Sequence, residues 1–154
     1  MKTYPLLFAY RDLVPGSGFI AGVEIFGRAL LEEEEDSAWM YGLNPGGIAG
    51  GGVTAREAMS DFRRGYVSVL EDIASVATGF KDFQEQVAQF FWESTEALDR
   101  EWEAARTEVR ERRLEKEGLQ KHPFSEDQIR LEVREFKQEA RPAKTRVPRE
   151  ELAA

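Results

Sequence analysis

At 154 residues, 42% of them hydrophobic and with ten Phe, four Tyr and three Trp, the chain is sized for one compact domain with an appendage. A net charge of −8 and a pI near 4.9 argue against the counterion-releasing contacts that nucleic acid requires, and favour a basic partner. The lack of cysteine excludes disulfides, thiolate nucleophiles and cysteine-ligated zinc, and no apolar run reaches the ~20 residues of a membrane span.

Tyr4 to Tyr10 reads as a covered strand, with Leu6, Leu7, Phe8 and Ala9 apolar on both faces. Arg11 and Asp12 end the apolar run before it takes signal-peptide shape, and a cytoplasmic location is expected. Val14-Pro15-Gly16-Ser17-Gly18 is a turn cluster. Phe19 to Leu31 alternates as a second strand, with Phe19, Ala21, Val23 and Ile25 on one face. Glu32 to Asp36 carries five like charges. A metal or basic-ligand site is one reading of that run, and a solvated hairpin tip is the other.

Ala38 to Leu43 returns as an antiparallel strand. Trp39, Tyr41 and Leu43 share a face, where Trp39 and Tyr41 are expected as sheet-face core or a cross-strand aromatic pair, with exposed ligand contacts as the other reading. A glycine-dense loop follows from Asn44 to Gly52, with a short strand near Ile48-Ala49. Thr54 and Glu57 form a capping box for a helix over 54–78. Its stripe is Ala58, Met59, Phe62, Tyr66, Val69, Leu70, Ile73, Val76 and Ala77, with Gly79 as the C-cap.

A long helix is predicted from about Lys81 to about Gly118. Phe91, Leu98 and Ala105 recur every seven residues, and Thr95, Trp102 and Val109 recur at the partner position. Phe91, Leu98, Trp102 and Val109 are therefore candidate self-association residues, whether the helix packs in cis or pairs in trans. His122-Pro123-Phe124 breaks the pattern, and the lone His122 reads as a loop residue. Ser125 and Gln128 suggest another capped helix reaching about Ala140, striped by Ile129, Val133 and Phe136. Arg141 to Ala154 reads as a disordered tail. The units are thus 1–80, 81–140 and 141–154.

No catalytic constellation emerges. A glycine loop before a helix N-terminus suits phosphate, but no Lys-Ser/Thr follows Gly52 and the dinucleotide-binding spacing is missing. The glycines then mark a path needing positive φ at several residues. Glu24 and Asp61 are carboxylates available to acid–base or metal chemistry, but no spacing unites them. One histidine and no nucleophile elbow leave a serine triad without its parts. No catalytic, cofactor or metal residues are assigned.

Trp39, Tyr41, Leu43, Pro45, Gly46, Gly52, Thr54, Glu57 and Ala58 follow an aromatic strand, Pro-Gly turn, Gly-x-Thr-x-x-Glu-Ala order. In this, residues 19–75 resemble the HicB-like antitoxin domain. The resemblance departs at Asn44, at a slightly longer loop and at the larger acidic hairpin. It implies an α+β fold, a three- or four-stranded antiparallel sheet packed by an amphipathic helix, here followed by a long C-terminal helix. It also implies a non-enzymatic role: blocking a small basic RNA-cleaving toxin, commonly as an oligomer. The acidic segment after residue 80 lacks the family's DNA-binding pattern. A self-associating structural or adaptor protein is a second reading, and a remnant nuclease or phosphate-binding enzyme a third.

Overall fold

The computed structural model describes residues 1–115 and 128–136. His122, the capping box at Ser125 and the tail from Arg141 lie outside the described residues. Among the described residues the fold is α+β, a five-stranded antiparallel sheet with three helices.

Strands β1 (Lys2–Gly16) and β2 (Phe19–Glu33) form one hairpin of 15 residues a side. Val14 to Gly16, expected in a turn, continue β1, so only Ser17 and Gly18 remain in the turn, where Gly18 has φ +84°. β2 is the axis of the sheet. One edge pairs with β1 along its whole length. The other pairs with β3 (Ala38–Asn44) through Arg28–Glu33 and with β5 (Arg130–Phe136) through Ile20–Phe26. Strand β4 (Gly46–Gly52) follows β3 and forms an edge among the described residues.

The expected loop of glycines is therefore mostly a strand. Only Gly47 has positive φ there, at +69°. Close approach, not backbone freedom, explains the rest of the run. A β-carbon at Gly50 would collide with the backbone of Phe62 and Ala58, because the helix α1 (Ala55–Val76) lies directly on β4.

Helix α1 begins as its sequence requires. Thr54 Oγ1 accepts the Glu57 N–H at 3.1 Å, and Glu57 Oε1 accepts the Val53 N–H at 2.8 Å. The glutamate thus reaches one residue beyond the N-cap. Ala58, Phe62, Tyr66, Leu70 and Ala74 form the buried stripe, while Met59 and Val76, predicted in it, are exposed. The C-cap is Ala77; Gly79 instead precedes α2 (Phe80–Phe91) as its N-cap. Helix α2 packs Phe83, Val87 and Phe91 into one core with Phe19, Ala21, Val23 and Ile25 of β2 and Tyr66 and Leu70 of α1.

The single helix expected over 81–118 is two. Helix α2 ends at Phe91, and α3 runs over Glu96–Glu115. The reason is geometric. Phe83, Val87 and Phe91 serve the inner face of the sheet, whereas Trp102 and Ala105 pack with Leu30 and Leu43 on the outer face. The link crosses the β3–β4 turn, where the backbone at Glu93 and Ser94 rests against Gly46. Thr95 Oγ1 then accepts the Leu98 N–H at 3.2 Å and restarts the helix.

The helix predicted around Ile129, Val133 and Phe136 is instead strand β5. Ile129, Leu131 and Val133 pack on the inner core, and the intervening Arg130, Glu132 and Arg134 are exposed. That alternation has the period of a strand.

Candidate interaction surface

Because side chains alternate along β2, its odd residues face α1 and α2 and its even residues face outward. Helix α3 covers one half of the outward face. A polar knot fixes it there. Arg28, at the β2 register shift, donates through Nε to Asn44 Oδ1 at 2.6 Å and through Nη2 to Asp99 Oδ1 at 2.9 Å. Ser94 Oγ donates to the same Asp99 oxygen at 3.0 Å. Asn44, 2% exposed, donates through Nδ2 to the Phe91 carbonyl at 3.0 Å and so ties the end of α2 to the knot. The Arg28 guanidinium lies 5.1 Å from the centre of the Trp102 ring.

This packing separates the four candidate self-association residues. Phe91 is buried in the inner core and Trp102 in the outer one, each 1% exposed. Leu98 packs half-buried beside Trp102, and Val109 is half-buried farther along α3. With the helix broken over residues 92–95, the four do not form one seam.

Trp39, expected in the core, is 48% exposed. Its ring lies over Gly51 and stacks on Tyr41 with centroids 6.4 Å apart and planes 21° apart. Tyr41 is half-buried, packed against the outer cluster of Leu30, Leu43, Trp102 and Ala105. Glu32 stands opposite Trp39 in the ladder. Burial raises the Tyr41 hydroxyl above its ordinary pKa, and the carboxylates of Glu32 and, on α3, Glu101 push it the same way. The exposed hairpin tip, Glu34 to Asp36, adjoins this patch and is closed by a Glu34 N–H to Ser37 carbonyl bond of 2.8 Å. An aromatic pair therefore sits within a rim of carboxylates.

A second polar cluster lies at the free side of β1. Arg63 of α1 donates both terminal nitrogens to Asp12, at 2.8 and 2.9 Å, and stacks 4.2 Å from the Tyr10 ring centre. Tyr66, one turn on, is buried, and its hydroxyl has no hydrogen-bond partner among the described residues. Burial raises the Tyr10 and Tyr66 hydroxyls above their ordinary range.

Glu24 and Asp61 do not come together. Glu24 accepts from Arg11 Nε at 2.9 Å on the outward face, and that bond holds its carboxyl below the usual glutamate value. Asp61 accepts the Gly51 N–H at 2.9 Å and an Arg64 nitrogen at 3.2 Å. Among the described residues no three histidine or carboxylate side chains are placed to hold a metal ion. The uncovered half of the outward face holds an open groove of about 290 Å³ over Gly22, between Leu13 and Phe136, with Arg11, Glu24, Glu132 and Arg134 around it. Comparison with family models, curated proteins and solved structures finds no match.

Proposed function

We propose that the protein is a non-enzymatic binding protein of the HicB-like antitoxin kind, which covers a small basic RNA-cleaving toxin. The observation that carries this reading is the exposed Trp39, stacked on the half-buried Tyr41 beside Glu32, Glu101 and the acidic hairpin tip. Exposed Trp and Tyr are the side chains that most often anchor a protein interface. Carboxylates around them steer a basic partner and set its orientation. The strand–turn–capped-helix order from Trp39 to Ala58 supports the reading too, since β3, β4 and the Thr54 cap occur in the sequence order of the resemblance.

The test is titration of the purified chain with the product of its neighbouring gene, by calorimetry and by inhibition of any RNA cleavage by that product. A complex at micromolar concentration or tighter, weakened at least about tenfold by Trp39→Ala, is expected. Raising the salt should slow its formation. No complex at micromolar concentration would overturn the toxin-binding role. A complex indifferent to Trp39→Ala would move it off this surface.

A further inference from the structure

Strand β1 is long, carries proline at positions 5 and 15, and has no partner on its outer edge among the described residues. Which of its backbone groups face that edge follows from the turn. Ser17 and Gly18 alone join Gly16 to Phe19, which are paired, and a two-residue hairpin makes such a pair exchange hydrogen bonds. The register then runs without a shift back to Lys2, so the even residues of β1 bond to β2 and the odd ones present N–H and C=O outward. Pro5 and Pro15 are both odd. Their missing N–H groups cost the β1–β2 ladder nothing, and they bound a free stretch in which Leu7, Ala9, Arg11 and Leu13 each offer a donor and an acceptor.

We propose that this edge pairs antiparallel with β1 of a second copy of the chain, about a two-fold axis at Tyr10, giving one continuous sheet across the dimer. The edge is self-complementary in that register. Pro5 of one copy stands opposite Pro15 of the other, so no outward donor is sought where none exists. Leu7 meets Leu13, and Ala9 leaves room for Arg11. On the inner face Tyr10 meets Tyr10, and Leu6 meets Val14. Sliding the axis one residue toward the C-terminus sets Arg11 against Arg11, which like-charge repulsion disfavours. Arg11 is already turned onto Glu24 of its own chain at 2.9 Å, and Asp12 onto Arg63, so neither brings an unpaired charge to the seam. An unpaired, largely apolar edge of this length is otherwise an open template for aggregation, and a two-fold pairing closes it. This pairing is independent of the toxin-binding reading.

Sedimentation at tens of micromolar tests it. The wild-type chain should sediment at twice its 17.5 kDa mass. Ala9→Pro removes one outward N–H without touching the β2 ladder, and should halve that mass while circular dichroism stays unchanged. Should Ala9→Pro fail to fold, Tyr10→Cys decides the matter, because the chain has no other cysteine. Mild oxidation should then yield a disulfide-linked dimer through the residue on the axis. A monomeric wild type would overturn the proposal. So would a folded Ala9→Pro dimer, or a dimeric Tyr10→Cys variant that does not cross-link.

Discussion

The two faces of the sheet are closed by different means. On the inner face, Ala21, Ala29, Ala38, Ala58 and Gly50 are small enough for α1 to approach, and Phe62, Tyr66, Leu70, Phe83 and Val87 fill the space. On the outer face a single large anchor, Trp102, packs with Leu30 and Leu43, and its Nε1 is buried without a partner among the described residues. The Arg28–Asn44–Asp99 knot does the remaining fastening, and Asp99 itself is 44% exposed. Broad apolar burial makes a helix integral to the fold. A helix held by one anchor and a partly solvated ion pair is docked, and belongs to the part of a structure that opens first.

The largest expected effect is on the inner face. Phe62→Ala removes a side chain that is 0% exposed and leaves a cavity under α1, at a cost of about 3–5 kcal/mol. Urea denaturation should show one cooperative transition at a much lower midpoint, with probes on both faces moving together. Trp102→Ala deletes a comparable volume but should act locally. Amide exchange is expected to accelerate throughout α3 while α1 and β2 keep their protection. Equal loss of protection in α1 would erase the distinction between the faces.

The inner face was legible in the sequence because its signals are local. Thr54 and Glu57 announce α1, and Ala58, Phe62, Tyr66 and Leu70 recur at helical spacing. Met59 and Val76 were misplaced because a stripe read at spacings of three and four is wider than the contact that buries it. The outer face was not legible. Arg28 and Asp99 are 71 residues apart, and nothing in the chain pairs them before it folds. The period that joins Phe91, Leu98 and Ala105 runs in phase across the break between α2 and α3. The cue that marked the break was Ser94-Thr95 followed by Glu96 and Asp99, an N-cap with an acidic first turn. Alternation along β3 placed Trp39 with Tyr41 and Leu43 on one face but carried no information on which of the three would be covered. In β5 both periods were present, and the strict alternation from Ile129 to Arg134 outweighed the helical match of three residues.

The smallest expected effect tests whether the inner face is as well satisfied as its packing implies. Tyr66 is 1% exposed, and its hydroxyl has no partner among the described residues, which ordinarily costs about 1–3 kcal/mol for a buried polar group. Tyr66→Phe keeps the ring against Tyr10 and Phe90 and removes only that oxygen. At neutral pH the variant should equal the wild type or exceed it by up to about 1 kcal/mol in urea denaturation. The sign of the pH dependence follows from the hydroxyl, whose pKa burial raises above the ordinary value of 10. Below that value both folded and unfolded chains hold the proton, and the contribution is fully present. Above it the unfolded chain releases the proton first, so stability falls as pH rises toward the folded pKa. The wild type should therefore lose more stability than Tyr66→Phe between pH 7 and about pH 10.5, with Tyr10 supplying a background common to both. A Phe variant weaker by more than about 1 kcal/mol at neutral pH would mean that the hydroxyl is bonded in solution. The inner face would then resemble the outer one in relying on a polar anchor.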